Sequence, residues 1–147
     1  MNDILLLHRG EGERHEARGS VMRFKAVAAT TSGRFSLMER ELPPGGRMPP
    51  AHRHLDCTEA FYVLGGEVSF VLDGVDRTGR PGDSVLIPGG ASHTFGNRGT
   101  EPALVLILHA PAMDGYFAEL ERLWSAGPPP SQEEELALMA RHGMARG

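Results

Sequence analysis

Hydrophobic positions along the first 113 residues of this 147-residue chain alternate in short stretches, and helical periodicity appears only after them. Val21 to Ala29 and Arg34 to Leu42 read as strands; in the second, Phe35 and Leu37 alternate with Ser36 and Met38 before the period blurs at Glu39 to Glu41. Thr30-Thr31-Ser32-Gly33 supplies the turn between them, and Pro43-Pro44-Gly45-Gly46 ends the second. A further strand runs through Glu59 into Ala-Phe-Tyr-Val-Leu. Side chains on a strand alternate between faces, so Phe61 and Val63 share the face of Glu59 and are candidates for a pocket wall, with Tyr62 and Leu64 packing on the other side. Gly65-Gly66 turns the chain into a hairpin whose next turn is Asp73-Gly74, and Asp83 to Pro88 is a short apolar strand. Residues 103–109, Ala-Leu-Val-Leu-Ile-Leu-His, form an uninterrupted apolar run, which predicts a strand buried on both faces.

From Asp114 the period lengthens. Asp114 is a candidate N-cap for a helix with Tyr116, Leu120, Leu123 and Trp124 on one face and Gly127 as terminator. After the stiff Pro128-Pro129-Pro130, Ser131 and Glu134 make a capping box for a second helix carrying Leu136, Met139 and Ala140 and stopping near Gly143. Glu133 to Glu135 suit the positive end of its dipole. The predicted division is a β-barrel with an N-terminal arm over 1–112 and a helical extension packed on it over 113–147. The arm is the apolar run of residues 4–7, an edge strand or an intersubunit contact. The polar stretch from His8 to Ser20 reads as irregular, with His8 and His15 as solvated loop residues.

Composition narrows the class. Nineteen glycines and 11 prolines suit many short strands joined by tight turns. A net charge of −4 gives no reason to expect nucleic acid as a partner. No run approaches the roughly 18 apolar residues of a membrane span. The opening MNDILLLHRG carries an acid where a signal peptide carries bases, and the single cysteine, Cys57, fits a reducing compartment. A soluble, cytoplasmic protein is expected.

The chemistry concentrates between Gly46 and Asn97. His52 and His54 are two residues apart behind Pro49-Pro50, which disfavours helix, so on a strand both imidazoles project the same way, with Glu59 five residues on. Paired imidazoles and a carboxylate make a chelating group, and His93, opening a later strand, would complete a set of three histidines and one glutamate. Cys57 lies among them without an evident base, and the neighbouring Asp56 would raise its thiol pKa, so it reads as a bystander. His109 reads as a strand-end histidine satisfied locally.

Gly46, His52, His54, Glu59 and Gly66, followed by Gly82, Pro88, Gly90, His93 and Asn97, fill the ten specified positions of two motifs at the required spacings. In these the chain resembles the cupin superfamily, and with one copy of each motif it resembles single-barrel cupins. Its looser layout is similar to the bacterial quercetin-dioxygenase-like cupins. The resemblance implies an all-β fold, a small antiparallel jelly-roll barrel, with one divalent transition metal (Fe, Mn, Ni, Cu or Zn) held by His52, His54, Glu59 and His93, and it points to a homodimer. It implies a small-molecule substrate and, first among the activities, a dioxygenase acting on an aromatic or enolisable compound. An isomerase, epimerase or polyketide-cyclase-type enzyme and a non-catalytic binding barrel are the alternatives. Glu59 is the candidate catalytic base, and Phe61, Val63 and Phe95 the candidate apolar pocket residues. The motifs place no lysine or arginine in the pocket, Arg53 pointing away between the two histidines, so neutral or weakly acidic substrates are expected over phosphorylated sugars.

Overall fold

The computed structural model describes residues 3–147. Among these residues are eleven strands and three helices: β1 Glu13–Ala17, β2 Ser20–Ala26, α1 Ala28–Thr31, β3 Ser36–Leu42, β4 His52–His54, β5 Thr58–Gly65, β6 Val68–Leu72, β7 Val75–Gly79, β8 Ser84–Ile87, β9 His93–Gly96, β10 Ala103–Ala110, α2 Asp114–Ser125, α3 Gln132–Arg141 and β11 Met144–Arg146. They build two antiparallel sheets, one of six strands in the order β1-β2-β3-β10-β5-β8 and one of five in the order β11-β4-β9-β6-β7. The sheets face each other as a jelly-roll-like β-sandwich. Between them lie Met22, Phe24, Met38, Phe61, Val63, Phe70, Val105 and Ile107, all buried. Among the described residues no helix is long and apolar enough to cross a membrane.

Several elements depart from the sequence pattern, each for a physical reason. The polar stretch after His8 contains β1, paired with β2 through a two-residue turn in which Arg18 and Gly19 both have positive φ, 56° and 73°. Its inward positions are His15 and Ala17, so no apolar alternation marks it. His15 is therefore not a solvated loop residue: it is buried between Glu13 and Glu121 of α2. The strand expected to reach Ala29 stops at Ala26, and residues 28–31 make one helical turn instead. Residues 4–7 form no strand, and Ile4 is 98% exposed.

β10, central in its sheet, buries Ala103, Val105, Ile107 and His109 on one face, but Leu104, Leu106 and Leu108 on the other are only half covered. Tyr62 and Leu64 likewise stay partly exposed on the outer face. α2 starts at Asp114 itself, with Met113 in the cap position; the Asp114 carboxylate instead accepts the amide hydrogen of Ala28, 2.8 Å away, tying the helix to α1.

The Ser131–Glu134 capping box forms as expected. The buried face of α3, however, is Glu135, Leu138 and Met139, leaving Ala140 exposed. Beyond α3 the chain returns to the sandwich: β11 pairs with β4, setting Met144 opposite His54. The C-terminal extension thus ends as a strand of the barrel. Glycine is required at Gly66, where φ is 68° and a side chain would run into the backbone of Pro102 and Ala103.

Candidate metal centre

β4 presents His52 and His54 inward, with Arg53 between them exposed and its Nε donating to the Arg146 carbonyl. β9 pairs with β4 so that His93 stands opposite His52, ring centroids 4.4 Å apart. Glu59 comes from the other sheet, near the start of β5. All four side chains are buried, and one donor atom from each lies within 4.8 Å of all the others. Glu59 Oε1 is 2.6 Å from His93 Nε2 and 3.7 Å from His54 Nε2.

The donors are set up for a cation. His52 Nδ1–H donates to the Pro50 carbonyl at 2.8 Å and His93 Nδ1–H to Ala91 at 3.1 Å, so that each ring, when neutral, keeps a lone pair on Nε2. Both nitrogens of His54 are buried without a hydrogen-bond partner, and His93 Nε2 and Glu59 Oε1 have only each other. An unsatisfied buried acceptor costs about 1–3 kcal/mol, so several together suit an electron-pair acceptor in their midst. Burial, helped by the neighbouring His93, pushes His52 down to about 3; burial also takes His54 down to about 4 against the pull of Glu59. Both rings are neutral at pH 7. Burial would raise Glu59, but His109 and His93 outweigh it and hold the carboxyl well below its usual range. His93 moves up: burial lowers its pKa, and contact with Glu59 more than offsets this. Proton and metal would compete for the same place. The residues present fit a divalent transition metal.

His109 belongs here too. It lies opposite Glu59 in the β10–β5 register, fully buried, and its Nε2 contacts Glu59 Oε2. The expected strand-end histidine is thus a partner of the carboxylate. The alternation that puts Val105 and Ile107 inward puts His109 inward as well, so the signal was present. Cys57, half-buried, is pushed up to about 11 by burial and then by Glu59, and stays a thiol.

A cavity of about 20 Å³ opens beside these donors, with His52, His54, Glu59 and His109 in its wall. Phe95 lines it; Phe61 and Val63, on the face of Glu59 as expected, pack deeper in the core, Phe61 against Phe70 and Phe95. Its roof comes from the C-terminal segment: Met113, Tyr116, Phe117, Met139 and Met144. Arg18 and Arg40 also reach it, which corrects the expectation of a pocket without cationic side chains. Their sequence neighbours gave no hint, because the first lies in a polar turn and the second in the Glu39–Glu41 stretch where alternation blurred.

Residues 38–109 match the Cupin_2 family, described as a cupin domain, a match with which the two-sheet fold and the filled motifs agree. It is 32% identical over 90 residues to quercetin 2,3-dioxygenase of Bacillus subtilis strain 168, covering 61% of this chain and 26% of that protein. A second curated relative, germin-like protein 1-1 of Oryza sativa subsp. japonica, is 33% identical over 99 residues, 64% of this chain and 45% of its own. The chain therefore spans less than half the length of these relatives. Among solved structures, the polyketide cyclase RemF from Streptomyces resistomycificus superposes with a TM-score of 0.64 at 25% identity, over 74% of this chain and 80% of its own.

Proposed function

We propose that the protein is a metal-dependent enzyme of small-molecule metabolism, first of all a dioxygenase acting on an enolisable or aromatic compound, with one divalent metal held by His52, His54, Glu59 and His93. The observation that carries this reading is the convergence of four buried donor side chains, one atom of each within 4.8 Å of all the others. A metal there would supply Lewis-acid polarisation of a substrate oxygen and a site for a co-reactant. The chain's own residues do the rest. Glu59 is placed to accept a substrate proton, and His109 on its far oxygen can stabilise either protonation state. Phe95 and the methionine-rich roof give the rest of the cavity wall an apolar surface.

A cyclase or isomerase that consumes no oxygen is the second reading, favoured by the likeness to the polyketide cyclase RemF. The protein is further read as a cytoplasmic homodimer, on the single free cysteine and on the exposed apolar side chains of β5 and β8.

Metal analysis of protein purified without a nickel column tests the centre. One metal per chain is expected, falling strongly in His54→Ala and His93→Ala while circular dichroism is unchanged; full occupancy in the double variant overturns the ligand set. Oxygen uptake against a panel of phenolics and diketones tests the reaction. Glu59→Gln should lose turnover by about 10²–10⁴-fold beyond its loss of metal. Turnover that persists without oxygen removes the dioxygenase and leaves the cyclase or isomerase.

A further inference from the structure

Arg40 sits mid-strand in β3, facing the core between Met38 and Leu42, and is 2% exposed. Its Nε donates to Ser20 Oγ at 2.8 Å, and its guanidinium carbon lies 5.2 Å from the centre of the Phe95 ring. Among the described residues no carboxylate forms an ion pair with it. An arginine is rarely buried fully without a counter-ion, because removing its charge from water costs several kcal/mol. Arg18 reaches the same cavity from the β1–β2 turn. Its Nε is paired with Glu135 at 2.8 Å, but its Nη2 is buried without a partner. The Tyr116 hydroxyl, also in the cavity wall, is buried with no partner except the Arg18 guanidinium beside it. Three hydrogen-bond donors, one carrying an unmatched charge, thus line the space beside the candidate metal centre.

We infer that Arg40, with Arg18 Nη2 and Tyr116 Oη, holds the carboxylate of the substrate, which is therefore a small enolisable carboxylic acid bound with its other oxygen toward His52, His54, Glu59 and His93. Charge supports this independently of shape. Glu135 already answers Arg18, whereas Arg40 has no such partner. A divalent cation beside the single carboxylate Glu59 leaves a second positive charge over. A carboxylate that is also an enolate matches both. A planar carboxylate suits a guanidinium fork, and any ligand larger than a water must part the roof to reach it, since the closed cavity is only about 20 Å³. Like charge strengthens the case: burial first, and then Arg18, bring Arg40 down to about 9, so an anion near the pair relieves both.

The enolate half of this inference rests on the metal centre proposed above; the arginine half does not. Isothermal titration of the zinc-loaded protein with acetoacetate and with acetoacetamide, its neutral counterpart of nearly the same shape, separates them. Acetoacetate should bind at least about tenfold more tightly than the amide. Arg40→Met should abolish that preference with zinc content unchanged, and Arg40→Lys should keep part of it. Tyr116→Phe removes one hydroxyl and should weaken acetoacetate severalfold, which serves if Arg40→Met does not fold. Equal binding of acid and amide to the unmodified protein, no binding of either, or an unchanged preference in Arg40→Met overturns the inference. Inorganic phosphate binding as tightly as acetoacetate overturns the assignment to a carboxylate. If the unmodified protein takes up no zinc, the metal reading fails separately, and the same acid-against-amide titration on metal-free protein decides the role of Arg40.

Discussion

His15 sits where the β1–β2 hairpin meets α2, its Nδ1 2.6 Å from Glu121 Oε2 and its Nε2 3.0 Å from Glu13 Oε1. Burial lowers its pKa, yet the two carboxylates outweigh that and raise it above 6.5. A raised folded-state pKa gives stabilisation that is complete below the unfolded value and disappears as pH rises through the folded one. The difference in unfolding midpoint between the unmodified protein and His15→Asn should therefore be widest near pH 6 and close by pH 9; a gap that widens with pH contradicts the tether. Spacing exposes some histidines and hides others. His52, His54 and His93 announce themselves because a strand puts alternate residues on one face and the motif glycines fix their turns. Alternation along β10 turns His109 inward, but which partner it and His15 meet depends on the strand or helix opposite, and a partner about 50 or 106 residues away in sequence leaves no local mark. Arg40 was hidden differently: its place is an inward one in the alternation Ser36, Met38, Arg40, Leu42, but a charge there breaks the apolar pattern the eye follows.

At the scale of elements, α3 is held by one side chain. Glu135 is fully buried and accepts from Arg18 Nε at 2.8 Å, Arg47 Nη2 at 2.7 Å and Trp124 Nε1 at 2.9 Å, so one carboxylate joins the β1–β2 turn, the segment before β4, α2 and α3. Glu135→Ala leaves a buried guanidinium uncompensated and should lower stability by about 3–5 kcal/mol in urea titration. Glu133→Ala, on the solvent side of the same helix, should stay within about 0.5 kcal/mol. Equal effects would show that the cluster does not anchor the helix. The sequence announced the start of α3 through its capping box, a local signal, but not the direction of Glu135, which is set by arginines far away in the chain. Likewise β1 and β11 were invisible, since short strands with polar or small inward residues carry no alternation, and β11 becomes a strand only because β4 offers it an edge.

At the scale of the whole molecule, the outer face of the six-stranded sheet is apolar across β10, β5 and β8, whereas β1, β2 and β3 present charged residues there. Leu86 on β8 is 72% exposed, and Tyr62 and Leu64 on the adjoining β5 are 46% and 42% exposed. Large exposed apolar patches on soluble domains mark places that are covered by a partner. Light scattering at micromolar concentration should give about twice the 15.9 kDa chain mass, and a Leu86→Lys, Tyr62→Lys double variant should give one chain mass with its circular dichroism intact. A clean monomer before substitution refutes the dimer.

The late return of the chain to β4 has a consequence for how a metal would be chosen. In the order of synthesis all four candidate donors exist by residue 93, whereas the roof begins at Met113 and the strand flanking the two histidines only at Met144. A half-made barrel would leave the four donors open to ions from its surroundings, whereas the closed roof, its helices pinned through Glu135, would slow exchange. A metal taken up at the candidate centre during that interval would then record the supply at the time of folding as well as the preference of the folded site.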